Sequence, residues 1–232
     1  MWPAGLSLAF SDGGRAVPAI DRRRRTTKDA LEVGERVFLR EPSSDDRDEI
    51  IARNRASRAL HHGWVTPPTD VRGFARWMVR ARQPTVKVLL VCRKEDAAIA
   101  GVYAISQIYR GGFQSAYLGY YALEPFAGQG YMREAMALVL RHLFNAMKLH
   151  RVEANVQPEN VASIALVKRA GFRLEGFSPR YLKVAGRWRD HERWAMLIDD
   201  WLRLRRRRRE LSRGPARRSP PAFSSPGRPR SG

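Results

Sequence analysis

Residues 113–144, FQSAYLGYYALEPFAGQGYMREAMALVLRHLF, contain the change of pattern on which the fold turns. The opening portion, rich in Tyr and Leu and closed by Pro125, reads as a β-strand. After Gly130 the period changes: Met132, Ala135, Met136, Val139, Leu140, Leu143 and Phe144 recur at the spacing of one face of a long amphipathic helix. Between the two stands Glu124-Pro-Phe-Ala-Gly-Gln-Gly-Tyr-Met132. Glycines at 128 and 130 let the backbone approach a ligand closely, and the N–H groups that open a helix present partial positive charge to an anion. A pyrophosphate fits such a place. An isolated G-x-G is equally compatible with an ordinary strand-to-helix turn.

Working outward, RVFLR (36–40) reads as a short strand, and Pro42, Ser43, Ser44 and Asp45 supply cap chemistry for a helix carrying Ile50, Ile51 and Leu60. A second helix is predicted from Val71 to Arg82. The runs TVKVLLVCRK and AIAGVYAISQIYR join the strand before the glycine loop in an antiparallel meander of three. RVEANVQ is a strand, PENVASIALVKRAGF a helix ended by Gly171, and Phe172 to about Ile198 a hairpin turning near Gly186. No internal repeat is visible. The order of elements implies an α/β sheet with an open edge where a ligand can lie.

Composition sets the limits of this domain. An apolar fraction of 44% over 232 residues suffices for one buried core. Residues 1–34 mix Gly, Pro, Ser and the run Arg22–Arg25 and read as a flexible, dispensable leader; residues 35–202 form the domain. Residues 203–232 carry 11 arginines against one acid, half of the net charge of +20, and read as a disordered basic tail whose composition collapses from Ser212 onward to Arg, Pro, Ser and Gly. The lone Cys92, in VLLVCRK, reads as a buried strand position suited to a reducing cytoplasm. No segment approaches the roughly 18 apolar residues of a membrane span, so no membrane partner is expected.

Farther along stands Gln157-Pro-Glu-Asn160-Val-Ala-Ser163-Ile-Ala-Leu-Val-Lys-Arg-Ala-Gly171-Phe172, followed by Arg173-Leu-Glu-Gly176. This segment resembles motif B of the GNAT superfamily of N-acetyltransferases. His150-Arg-Val-Glu153-Ala and Gly186-Arg-Trp-Arg-Asp190-His191 extend the likeness over residues 36 to about 201, toward the branch that acetylates the N-terminal alanine of ribosomal proteins. The resemblance implies a mixed, mostly antiparallel central sheet splayed between its fourth and fifth core strands and flanked by helices. It implies acetyl-CoA as co-substrate and direct acetyl transfer to a primary amine.

Carried over by position, the family's loop Gln/Arg-x-x-Gly-x-Gly/Ala falls on Ala127, Gly128, Gln129, Gly130, Tyr131 and Met132. Ala127 lacks the usual polar side chain, so pyrophosphate binding leans on backbone N–H groups and Arg133, and weaker coenzyme affinity is expected. Asn160 matches the asparagine that contacts the pantetheine arm or adjoining groups; a plain helix N-cap is the other reading, and both roles can coexist. Backbone N–H groups of Tyr121, Ala122 and Leu123 are expected to hold the acetyl carbonyl.

Acetyl transfer needs a neutral amine, a donor to the carbonyl oxygen and a proton for the departing thiolate. The tyrosine that serves as acid in many relatives falls here on Val167, so Ser163 is the first candidate donor or acid, its alternative being a small helix-packing residue. Tyr117 stands where this branch commonly has a carboxylate. Glu153, on the next strand, is the remaining acid with reach to accept a proton through water, or else a strand-surface charge. His150 and His191 are weaker alternatives. The five histidines lack a metal spacing, so no metal is expected.

The acceptor favoured by the resemblance is a protein N-terminus, with a small amine (amino sugar or antibiotic) as the alternative; a non-catalytic module that binds coenzyme or nucleic acid is a further reading, motivated by Ala127, Tyr117 and Val167. His62, Trp64 and Trp77 fall on the acceptor side or in the core. The run Arg203–Arg209 suits ribosomal RNA or another polyanion, or reflects only biased composition.

Overall fold

The computed structural model describes residues 27–213. Eight strands, β1 (Glu32–Val33), β2 (Val37–Arg40), β3 (Lys87–Arg93), β4 (Ile99–Tyr109), β5 (Ser115–Ala122), β6 (Arg151–Val156), β7 (Arg173–Val184) and β8 (Arg187–Leu197), form one sheet in the order β1-β2-β3-β4-β5-β6-β8-β7. Every neighbouring pair is antiparallel except β5 and β6. The meander expected from three successive apolar runs is β3-β4-β5. This strand order, with the helix of residues 161–170, makes the mixed, mostly antiparallel α/β sheet anticipated from the sequence.

Helices cover both faces. On one side lie α1 (Arg47–Ala56), α2 (Arg58–His61) and α3 (Val71–Ala81); on the other, α4 (Tyr131–Arg141), α5 (Val161–Ala170) and α6 (Ile198–Arg213). The continuous apolar run of β3 follows from this double cover. Leu89 and Val91 enter the core with α4, whereas Val88, Leu90 and Cys92 enter the core with α1 and α3. Full burial of each such large side chain contributes about 1.5–3 kcal/mol.

The first helix breaks where a continuous one was expected. Buried Ser57 donates its hydroxyl to the Arg53 carbonyl (2.7 Å) and accepts from the Glu124 N–H (2.9 Å), so a local side-chain bond replaces helix continuation and ties the α1–α2 joint to the end of β5. The β7–β8 hairpin turns through Ala185 and Gly186, both left-handed (φ 47° and 82°), the geometry that matches strand twist.

Two expected boundaries shift. Residues 27–34, taken as part of the leader, include β1, whose Glu32 and Val33 pair with Leu39 and Phe38 of β2. Residues 203–213, taken as disordered tail, are helical, because Ile198, Trp201 and Leu204 form a short apolar stripe hidden in the arginine-rich composition. Trp201 packs on Phe144 at 5.3 Å. Leu204 sits against Gly171, which ends α5 at φ 101°; a Cβ there would collide with the Leu204 Cδ1. The remaining leader and tail, 1–26 and 214–232, lie outside the described residues.

Asp46 is fully buried, and its carboxylate accepts both terminal nitrogens of Arg40 (2.7 and 2.8 Å) and the Ser43 N–H (2.7 Å), joining the start of α1 to β2. Removing one partner strands a buried charge. Asp46→Ala is expected to destabilise the fold by about 3–5 kcal/mol, read as a lowered denaturant midpoint in equilibrium unfolding.

Candidate functional site

β5 and β6 are paired only through Ser115–Arg151, Ala116–Val152 and Tyr117–Glu153. Beyond Tyr117 they diverge, which is the expected splay between the fourth and fifth core strands, the short β1 being additional to that count. Leu123 donates its N–H to the Ala100 carbonyl (3.0 Å) on β4. The alternation of an antiparallel ladder then turns the Tyr121 amide toward β4 as well and leaves the Ala122 N–H facing the gap. Of the three amides expected to hold an acetyl carbonyl, Leu123 is thus committed elsewhere, and its side chain is fully buried.

From Ala122 the chain enters the glycine loop. Gly128 and Gly130 are left-handed (φ 76° and 83°), and Gly130 caps α4. The first-turn N–H groups of Tyr131, Met132 and Arg133 have no intrahelical acceptor, as at any helix start, and aim out of its positive end. Glu134 fixes that end: its carboxylate accepts the backbone N–H groups of Arg36 (2.8 Å) and Val37 (3.2 Å) at the start of β2. The Arg36 guanidinium donates to the Gln129 carbonyl (2.9 Å) and stacks on the Tyr131 ring at 4.5 Å. Arg53 and Arg93 lie over Phe126 at 4.7 and 4.8 Å. Three guanidinia, from the residue before β2, from α1 and from β3, thereby join Arg133 around the loop. No local signal at 36, 53 or 93 marks them, because they meet the loop only through the sheet.

A cavity of about 520 Å³ runs from this loop to α5 and α2. Residues 127–133 line one end, and Asn160, Ser163, Tyr120, Tyr121, Ala122 and His61 line the rest. Asn160 is the N-cap of α5, its Oδ1 accepting the Ser163 N–H (3.0 Å), so the cap role and a place in the cavity coexist. The Ser163 hydroxyl lies 2.6 Å from the Tyr120 hydroxyl. Burial pushes the Tyr120 phenol up to about 12, while the bond to Ser163 acts in the opposite sense. This Tyr–Ser pair bridges β5 to α5 beside the gap. Val167, in the usual acid position, is fully buried in the core.

His61, which the sequence does not distinguish from its exposed neighbour His62, is buried against the end of β5. Its Nε2 lies 2.8 Å from the Ala122 carbonyl, and its ring meets Tyr121 edge-on at 5.0 Å. A carbonyl accepts, so Nε2 carries the proton and Nδ1 presents a lone pair. Among the described residues Nδ1 is buried without a hydrogen-bond partner. Burial lowers the imidazole pKa, more than the Ala122 bond and the Glu124 charge raise it. Trp64 shares the cavity lining, while Trp77 packs on Phe74 in the core.

Tyr117 and Glu153 stand side by side in register, away from the cavity lining. Their strand neighbours Ala116, Val152 and Ala154 fill the core beneath α4, so alternation puts the pair on the opposite face. Burial, a hydrogen bond to Tyr181 and the nearby Glu153 charge push the Tyr117 phenol up to about 12. The Glu153 carboxylate pairs with Arg151 at 2.9 Å. His191 is buried, its Nδ1 2.9 Å from the Arg189 carbonyl; His150 is exposed. Among the described residues no group of three or more His, Cys, Asp or Glu is placed to hold a metal ion. Nor is any described helix long and apolar enough to cross a membrane.

Left-handed Gly130 is the joint between loop and helix, and any side chain there incurs about 1–2 kcal/mol of backbone strain. Gly130→Ala is expected to weaken acetyl-CoA binding about tenfold in titration calorimetry, with the overall fold retained by circular dichroism.

Residues 36–173 match the family described as acetyltransferase (GNAT) domain. Over 107 residues the chain is 37% identical to the [ribosomal protein uS5]-alanine N-acetyltransferase of Escherichia coli, covering 46% of this chain and 55% of that protein. Over 105 residues it is 39% identical to the probable N-acetyltransferase YjcK of Bacillus subtilis, covering 45% and 58%. The aligned part therefore spans little more than half the length of these curated relatives. Among solved structures, Mycobacterium smegmatis RimJ in complex with CoA-disulfide superposes with a TM-score of 0.66 at 29% identity, covering 75% of this chain and 90% of that one. The ribosomal-protein-S5-alanine acetyltransferase of Vibrio fischeri gives 0.64 at 26%, covering 73% and 97%.

Proposed function

The chain belongs to the GNAT acetyltransferase family, and we propose that it transfers the acetyl group of acetyl-CoA to a primary amine, the N-terminal amine of a protein such as a ribosomal protein. One observation carries this reading: a single cavity joins the positive start of α4 to the Tyr120–Ser163 pair beside the parted strands. A diphosphate and an extended thioester arm need those two ends at once. The names of the E. coli and V. fischeri relatives support a ribosomal protein as acceptor. The arginine-rich C-terminal stretch suits contact with a ribosome. A reducing cytoplasm suits the buried Cys92.

In this reading the N–H groups of residues 128–132, with Arg133 and Arg36, hold the diphosphate, and Asn160 faces the pantetheine arm. The Ala122 N–H donates to the acetyl oxygen as charge builds on it. The amine nitrogen bonds to the carbonyl carbon, the carbon–sulfur bond breaks, and the thiolate takes a proton from Ser163, resupplied by Tyr120, which regains one from solvent as the base releases the amine's proton. No nucleophilic side chain is required.

Two groups are candidates to take the proton lost by the amine. Glu153 lies on the face opposite α4 but is paired with Arg151. His61 lines the cavity, and its Nδ1 lone pair is uncommitted among the described residues, which favours it. Because burial depresses its pKa, the base form persists as pH falls to the ordinary value of 6.5, and in the profile of kcat, which is free of the unbound amine's own titration, the acid limb is expected below that value. His61→Gln should lose activity on the order of 10²-fold and abolish the limb. If the limb survives in His61→Gln and disappears in Glu153→Gln, Glu153 is the base.

Thiol release from acetyl-CoA, followed with peptides beginning in Ala or Ser against a panel of small amines, tests the function as a whole. Turnover with the peptides is expected, reduced on the order of 10²-fold in Ser163→Ala and Tyr120→Phe. Turnover only with small amines would overturn the protein acceptor. Coenzyme binding without turnover on either group would make the chain a non-catalytic module.

A further inference from the structure

A second cavity, of about 460 Å³, lies between α4, α5 and α6. Six arginines line it from three helices: Arg133 and Arg141 of α4, Arg169 of α5, and Arg205, Arg208 and Arg209 of α6. The one acid in the lining, Glu134, is turned toward Arg36 and β2. Met136, Leu140, Leu166 and Leu204 contribute apolar surface. Arg133, Leu166 and Arg169 also line the coenzyme cavity, so the two spaces meet at the first turn of α4.

The placement of these arginines is ordered. Arg205 stacks on Trp201 at 4.6 Å, and Arg208 donates to the Arg169 carbonyl (3.3 Å) at the negative end of α5. Even so, residues 203–213 carry seven arginines and one acid. Arg205, Arg208 and Arg209 follow the i, i+3, i+4 spacing at which like charges oppose helix formation.

We propose that this arginine cleft docks an RNA strand through its phosphodiester backbone. Planar guanidinium forks match phosphate oxygens two at a time, and the apolar side chains offer surface to ribose and base. Arg205 to Arg209 rise about 6 Å along α6, and with the arginines of α4 and α5 across the cleft they offer partners to more than one phosphate. The choice of RNA among polyanions rests on the ribosomal-protein reading above; the cleft itself does not. Since Arg133 and Arg169 border both cavities, bound RNA and bound coenzyme alter each other's affinity by the same factor.

The test removes equal charge from two faces of one helix. Fluorescence anisotropy with a labelled single-stranded RNA across a salt series is compared for the full chain, Arg208→Gln/Arg209→Gln, and the control Arg206→Gln/Arg207→Gln, whose side chains are exposed outside the cleft. The cleft variant is expected to lose about tenfold in affinity and roughly 1.4 units of salt slope, while the control stays within about threefold. Should the double variant fail to fold, Arg209→Gln alone is read in the same way. Unchanged RNA binding in the cleft variant, or an equal loss in the control, overturns the proposal. Equal affinity for DNA of the same sequence overturns the assignment to RNA. A raised KM for acetyl-CoA with RNA binding intact would give the cleft to the coenzyme instead. Peptide acetylation without RNA is measured alongside; its persistence when RNA binding fails separates this proposal from the acetyltransfer reading.

Discussion

Backbone pairing joins β5 to β6 over three residue pairs, and beyond Tyr117 the two strands present edges to a gap rather than to each other. Strand edges carry N–H and C=O groups that need partners, and β5 meets that demand unevenly. The Leu123 amide turns back to β4, the Ala122 carbonyl accepts from His61, and the Ala122 N–H is left facing the opening. An extended ligand is the natural complement of such an edge. The rest of the site is arranged along that opening: the glycine loop continues β5 into α4, Asn160 caps α5 across from it, and the Tyr120–Ser163 bond spans strand and helix.

Charge is handled differently at the two ends of the gap. At the loop, cations are gathered while their excess is locally offset. Arg36 pairs with Glu134, Arg53 with Glu49, and Arg93 with Glu95 and Asp96. Arg133 has no ion-pair partner among the described residues. At the strand end the polar groups are neutral in their resting forms, because burial raises Tyr120 and lowers His61. Proton exchange with a neutral thiol or amine is compatible with those forms, whereas a phosphate is best met by the fixed charge and helix dipole at the other end. The arginines of α6 extend the fixed charge past the cavity of the glycine loop, around the first turn of α4.

Most of the scaffold was legible in local sequence. The β3-β4-β5 meander, the strand-loop-helix switch at Gly130, the Asn160 cap and the Gly171 stop all depend on periodicity or on conformations that particular residues favour nearby. The misses have a common origin. The joint at Ser57 is held by a bond from a backbone amide 67 residues away. Residues 203–213 were read from their arginines, yet Trp201 and Leu204 hold the helix against Phe144 and Gly171. Among site residues, Arg36, His61 and Tyr120 went unmarked because nothing in their own neighbourhoods separates them from surface cations or core aromatics.

By itself, then, the sequence determined the elements, their order, and the glycines and cap that open a helix toward an anion, since these follow from φ preferences, side-chain periodicity and hydrogen bonds spanning a few residues. Tertiary structure alone decided which amide at the end of β5 faces the gap, that Tyr120 meets Ser163 and His61 meets Ala122, and that arginines of three helices converge on one cleft. Those outcomes depend on strand register and on contacts between segments tens of residues apart, where a shift of one position would turn each side chain to the other face.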